Sequence, residues 1–271
     1  QTINVKKIKW RSDYKNIEWK YHNDNFDILI FDSLLIKQNF VNKIQSSIIN
    51  KKVFIDDYQR NIYFDCYIID WTANAEKKYH IDNRKNNYMM LGLDYIVLRP
   101  DFYTKQKSLN IESNSCCVIL GGTDSANILE FLDLKLFPEF TDIKFNIVNA
   151  KNAKLTSHNT QKFDWLEPKK LIKIFTSSKF VISAAGQSLY ELMVLNKTTF
   201  PIIVANNQLD DINNLLEIGF LKSFYDINNK SWINNLIKDI TLFNESKLDQ
   251  NPMVSSFSDG RLNIFNSIIN D

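Results

Sequence analysis

Short apolar runs, half of them stopping at a carboxylate or at glycine, alternate with longer amphipathic stretches through most of the chain. The run 26–31 ends at Asp32, 52–55 at Asp56 and Asp57, and 66–69 at Asp70; a fourth covers 95–98, and a helical pattern at 40–49 separates the first two. β-rich runs parted by helical ones build βαβ units and a mostly parallel sheet. The strand C-termini form the edge where such sheets take ligands, so these carboxylates stand on the ligand-binding side.

From 99 to 115 the pattern lapses into polar residues, as a linker does, and a second series begins. A strand at 116–120 runs into Gly121-Gly122-Thr123 and a helix at 125–134. Strands at 145–148, 180–183 and 200–204 then alternate with helices at 169–176, 188–195 and 209–218, the last stopped by Gly219. The expected fold class is therefore α/β, with two Rossmann-like domains and a cleft between them. Residues 1–107, joined by a closing helix at 256–271, would form the N-terminal domain, and 108–255 the C-terminal domain. The first domain looks incomplete. Its strand-like pieces at 3–10 and 17–21 lack the glycine-rich turn and helix that open a nucleotide-binding half.

Composition narrows the function classes. Hydrophobic residues at 44% and charged residues at 24% exclude a disordered or collagen-like chain. A formal charge of +2 supplies no field for nucleic acid, so no nucleic-acid partner is expected. No apolar run reaches the roughly 20 residues that a membrane helix needs, and no signal peptide is seen. Three cysteines, two of them adjacent at Cys116 and Cys117, make neither a disulfide framework nor a metal-ligand set. A reducing, cytoplasmic compartment without a metal is expected. The chain begins at Gln1 rather than Met, as a processed, trimmed or partial chain does.

With six glycines in all, their placement carries information. Gly121-Gly122-Thr123 joins a strand to a helix, where bare backbone and a helix N-terminus can meet phosphate; taken alone, a plain tight strand-to-helix turn is the commoner reading. The segment 183–191, Ser-Ala-Ala-Gly-Gln-Ser-Leu-Tyr-Glu, joins another strand to a helix through small residues. There the backbone suits a diphosphate and Glu191 suits a ribose diol, but Ser188-x-x-Glu191 also spells a capping box.

Together with Asn206-Asn207-Gln208, these segments resemble the C-terminal half of GT-B-fold nucleotide-sugar proteins. The nearest likeness is to the UDP-2,4-diacetamido-2,4,6-trideoxy-altropyranose hydrolases of pseudaminic acid synthesis. Spore-coat polysaccharide proteins and the peptidoglycan GlcNAc transferase share the plan. The stretches 26–32, 55–57 and 91–102 match the hydrolase pattern in order, and Asp259-Gly260-Arg261 matches the segment before the family's last helix. The resemblance implies that Gly121, Gly122, Thr123 and the backbone at Ser188 and Leu189 approach the diphosphate, and that Glu191 binds the ribose. It further implies that Phe163 and Trp165 flank the uracil and that Asn207 and Gln208 face the sugar. No cofactor is implied beyond UDP or a UDP-sugar as ligand.

The departures lie on the N-terminal side. The family's glycine-rich histidine loop is not recognisable, its tyrosine falls at Leu34, and His22, His80 and His158 match no family motif. Asp32 and Asp57, with Asn207 across from them in sequence, are the remaining catalytic candidates, and Asp56 is a further carboxylate able to polarise water. Three readings follow: a bacterial UDP-sugar hydrolase of surface-glycan synthesis, a glycosyltransferase using a UDP-sugar donor, or a nucleotide-sugar-binding protein without turnover.

Overall fold

The computed structural model describes residues 27–32, 37–45, 50–57, 59, 61–79, 87–104, 112–121, 127–150, 152–250, 252 and 258–270. The strand-like pieces expected at 3–10 and 17–21, together with Leu34, His22 and His80, lie outside them. The chain divides into two compact units, 1–70 with 78–90, and 71–77 with 91–271.

The first unit is built on four strands in the order of the chain: β1 (Ile28–Asp32), β2 (Lys51–Ile55), β3 (Tyr67–Asp70) and β4 (Tyr88–Leu91). β1 to β3 are parallel, with Ile30 opposite Val53 and Ile55 opposite Ile69. Helix α1 (Gln38–Gln45) connects the first two and presses Phe40 edge-on against Phe31, which stacks on Phe54. The fourth strand is not the expected 95–98. Gly92, at φ +84°, turns the chain out of β4, and Leu93–Tyr95 forms a 3-10 turn instead. Ile96 and Leu98 are buried, but by packing into the second unit's core rather than in a ladder.

The second unit takes in most of a short helix α2 (Ala75–Lys78) and carries a six-stranded sheet. Its strands are β5 (Glu112–Ile119), β6 (Lys144–Val148), β7 (Thr160–Phe163), β8 (Ser178–Ala184), β9 (Thr199–Ile203) and β10 (Tyr225–Asp226), in spatial order β10-β9-β8-β5-β6-β7. All the pairings are parallel. The chain thus starts at the centre with β5, runs outward to β7, then returns to β8 on the other side of β5. This is the doubly wound Rossmann order, with its switch point between β5 and β8.

Alternation along the strands supplies both faces. Cys116, Val118, Phe145, Ile147, Phe180, Ile182 and Phe200 meet α3 (Ile128–Lys135) and α7 (Trp232–Asn244) on one face. Cys117, Ile119, Val181 and Ile203 meet α4 (Pro168–Ser177), α5 (Gln187–Val194) and α6 (Leu209–Glu217) on the other. Fully burying one such large side chain is worth about 1.5–3 kcal/mol, so the sheet is held from both sides.

The segment 91–107, expected with the first domain, gives Ile96, Leu98 and Phe102 to this second core. The closing helix α8 (Gly260–Ile269) packs on the Leu93–Tyr95 turn of the same unit. Asp259 caps it by accepting a bond from the Arg261 N–H. A Cβ on Gly260 would lie 2.3 Å from the carbonyl oxygen of Ile96, so only glycine allows this approach. Among the described residues, no helix is long and apolar enough to cross a membrane.

Candidate functional site

The C-terminal ends of β5 and β8 lie side by side at the switch point, and each leads into a glycine. Gly121 follows β5 with φ +86°, and among the described residues no atom lies within 4 Å of where its Cβ would be. Gly186 follows β8 with equally open space beside it and is the N-cap residue of α5. Asn149, at the end of neighbouring β6, adopts a left-handed φ of 61° and donates its amide to the Gly121 carbonyl at 3.0 Å. Two strand ends therefore offer bare backbone beside a helix N-terminus, where the first-turn N–H groups have no partner within the helix and the dipole is positive.

Individual donors can be sorted. The N–H of Leu189 is engaged by the Gly186 carbonyl at 2.9 Å and its side chain is fully buried, so Leu189 has no free backbone donor to offer. Ser188 is the second residue of α5, not its cap, and the capping box read from Ser188-x-x-Glu191 does not form. Glu191 instead faces Arg99, whose Nε and Nη2 both donate to Oε1, at 3.0 and 2.8 Å. Burial pushes the Glu191 carboxyl above its ordinary range, against the pull of the Arg99 charge and its hydrogen bonds.

Gln208 lies in the 3-10 turn Asn206–Gln208 after β9, and its side-chain oxygen accepts from the N–H groups of Val204 and Ala205 at 2.9 and 3.2 Å. It therefore shapes the loop that carries the exposed Asn207. At the end of β7, half-buried Phe163 is tied to the loop after β6 by the Ala150 N–H, and Trp165 is 73% exposed, the most open large apolar side chain among this unit's described residues. The second unit thus places Gly121, Ser188, Asn207 and Trp165 on one edge of one sheet. Gly122 and Thr123 lie outside the described residues. His158 precedes β7, at the opposite edge.

On the first unit, Asp32 is exposed at the end of β1 and Asp57 half-buried beyond β2. Asp56 is fully buried and accepts a 2.7 Å bond from the Tyr63 hydroxyl, while Tyr79 donates to its carbonyl at 2.8 Å. Those bonds make Asp56 a structural anchor rather than a water-polarising base. Among the described residues no group of three or more His, Cys, Asp and Glu side chains is placed to hold a metal ion. Sequence reasoning passed over Arg99 and Asn149 as site residues. The Arg-Pro pair at 99–100 was visible, but nothing in it announced a carboxylate partner 92 positions away.

No protein-family model matches the chain. A bifunctional protein of Helicobacter pylori, named pseudaminic acid cytidylyltransferase and UDP-2,4-diacetamido-2,4,6-trideoxy-beta-L-altropyranose hydrolase, is 25% identical over 182 residues, covering 63% of this chain. The match spans 34% of that relative's length. Among solved structures, the glycotransferase of kitacinnamycin superposes with a TM-score of 0.57 at 8% identity, over 84% of this chain and 70% of that one. The glycosyltransferase SnogD from Streptomyces nogalater gives 0.37 at 16% identity, over 69% and 54%, too low to carry an argument. The fold is accordingly the α/β, Rossmann-like fold of GT-B glycosyltransferases.

Proposed function

We propose that the second unit binds the diphosphate of a UDP-sugar on the backbone at Gly121 and on the first turn of α5, in an enzyme of glycan biosynthesis that releases UDP from an aminodeoxy sugar. The observation that carries this reading is the pair of glycine turns on adjacent strands at the switch point, each with open space at the glycine. In doubly wound sheets the crevice at this point is where nucleotides are held. Fixed N–H groups aimed at a diphosphate also suit the chemistry, because they stabilise the charge that grows on a departing UDP.

Ser188 and Gln187 supply first-turn donors, Glu191 accepts from the ribose diol, Phe163 and Trp165 hold the uracil, and Asn207 faces the sugar. Asp32 and Asp57 are the proposed bases for activating water. The hydrolase part of the Helicobacter relative's name supports water over a glycan as acceptor. A glycosyltransferase on the same scaffold is the second reading, supported by the likeness to the kitacinnamycin enzyme at the level of fold.

Calorimetric titration with UDP, beside UDP-release assays on a trideoxy-diacetamido UDP-sugar, tests the proposal. UDP should bind, and Gly121→Val should abolish most of that binding in folded protein. Since removing a general acid or base costs about 10²–10⁴-fold in rate, and the histidine loop is not recognisable, turnover by this chain should be slow. Turnover at ordinary rates, about 1–10³ per second, would make Asp32 or Asp57 an effective base; Asp32→Asn and Asp57→Asn would then identify which. Failure of UDP to bind would reject the proposal.

A further inference from the structure

Residues 97–103 form a strap across the start of α5. Gln187 donates to the Val97 carbonyl at 3.2 Å, Phe102 is sunk in the same core as Leu189, and Arg99 lies with its guanidinium carbon 5.1 Å from the Phe102 ring centre. Pro100 starts the 3-10 turn Pro100–Tyr103 directly after Arg99. The guanidinium is thus set by packing on one side before it meets the carboxylate on the other. Both of its bonds converge on Oε1 of Glu191, and Oε2 accepts no hydrogen bond among the described residues.

We propose that Arg99 is a positioning residue for nucleotide binding: by chelating Oε1 of Glu191 it fixes the carboxylate and presents Oε2 as the acceptor for a ribose diol. The proposal rests on the reading of the second unit as a UDP-sugar site. A guanidinium with two nitrogens on one oxygen locks the carboxylate in a way that a flexible ammonium does not.

Arg99 also favours the ionised form of Glu191. Burial alone raises the carboxyl, and Arg99 opposes it. The neighbouring acidic side chain on α6, Asp211, is bonded by the Tyr190 hydroxyl, which also accepts from the Ala73 N–H at 3.3 Å. Among the described residues Arg99 is the charged group acting on Glu191. Without it the carboxyl would take up a proton at higher pH and lose its strength as an acceptor. UDP affinity of a variant without the guanidinium should then rise with pH relative to the wild type.

The test is titration of UDP and 2′-deoxy-UDP into wild type, Arg99→Ala, Arg99→Lys and Glu191→Gln between pH 6.5 and 9, each variant referenced to wild type at the same pH, with thermal melts alongside. At pH 6.5 Arg99→Ala should bind UDP about tenfold more weakly, the scale of one lost charge-assisted hydrogen bond. It should recover as pH rises and discriminate less between UDP and 2′-deoxy-UDP. Arg99→Lys should restore the wild-type pH profile but not the full affinity. Glu191→Gln should be weak at every pH. Equal losses for both nucleotides with no pH dependence, or wild-type affinity in Arg99→Ala, would overturn the proposal and leave the nucleotide reading standing. Should Arg99→Ala not fold, Arg99→Lys with undiminished affinity and ribose discrimination would overturn it equally. Absence of UDP binding by the wild type would overturn both.

Discussion

The two sheets finish differently at the edge where parallel strands leave room for a ligand. In the first unit, β2 and β3 run into Asp56 and ended at Asp70, both fully buried, with Tyr63 and Tyr79 folded onto Asp56. In the second, β5 and β8 run into Gly121 and Gly186, with nothing among the described residues within 4 Å of either Cβ position. One edge buries two carboxylates and folds two tyrosines onto the first of them. The other leaves backbone uncovered next to a helix start. Equivalent positions in related architectures can therefore carry opposite electrostatics, and only the second suits an anion.

The contrast can be tested from both sides. Asp56→Ala should lower stability by about 2–3 kcal/mol, because the buried Tyr63 hydroxyl loses its acceptor; urea unfolding would read this, and UDP affinity of the folded molecules should stay unchanged. Gly121→Val should cost about 1–2 kcal/mol of stability, since a β-branched residue resists φ +86°, and should reduce UDP affinity by more than about tenfold. A variant of Gly121 that binds normally would erase the distinction between the edges.

The thiols give a smaller effect. Burial raises all three above their ordinary range, Cys66 to about 12. The unfolded chain loses thiol protons near pH 8.5–9 while the folded chain holds them, so their stabilisation is complete below that pH and declines above it. Lys197 opposes this: burial lowers its amine to about 8, so the unfolded chain binds its proton over a range where the folded chain does not. Unfolding at pH 7.5 and 9.5 should show a net loss, with Cys117→Ala removing about 1 kcal/mol per pH unit of the slope above pH 9. The least effect is expected of Asn149→Gly, which tolerates φ 61° but removes the bond to the Gly121 carbonyl. UDP affinity should fall about threefold with little change in melting temperature, the weakening expected of a single indirect hydrogen bond.

Legibility followed side-chain pattern. Runs at 116–120, 145–148, 180–183 and 200–204 became strands because every alternate residue had a core to enter on one face or the other. β7, Thr-Gln-Lys-Phe at 160–163, was missed because an edge strand there depends on its backbone ladder to β6 and shows no apolar pattern. The run 95–98 misled for the converse reason: Ile96 and Leu98 are buried in the second unit's core without belonging to a strand. At the site, the two glycine turns were visible from local composition. The bond from Arg99 to Glu191 and that from Asn149 to Gly121 were not, since each joins elements brought together only by the tertiary fold.

The adjacency of β5 and β8 has a kinetic consequence. Cys116 lies beside Phe180, and the intervening chain builds β6, β7 and two helices before β8 returns to the centre. The crevice between the two glycine turns does not exist until that long loop has closed, and closing distant segments is slow. A ligand gripping both turns therefore stabilises a contact formed late. In stopped-flow refolding it should leave the folding limb of the chevron nearly unchanged and slow the unfolding limb, the signature of an interaction absent from the transition state.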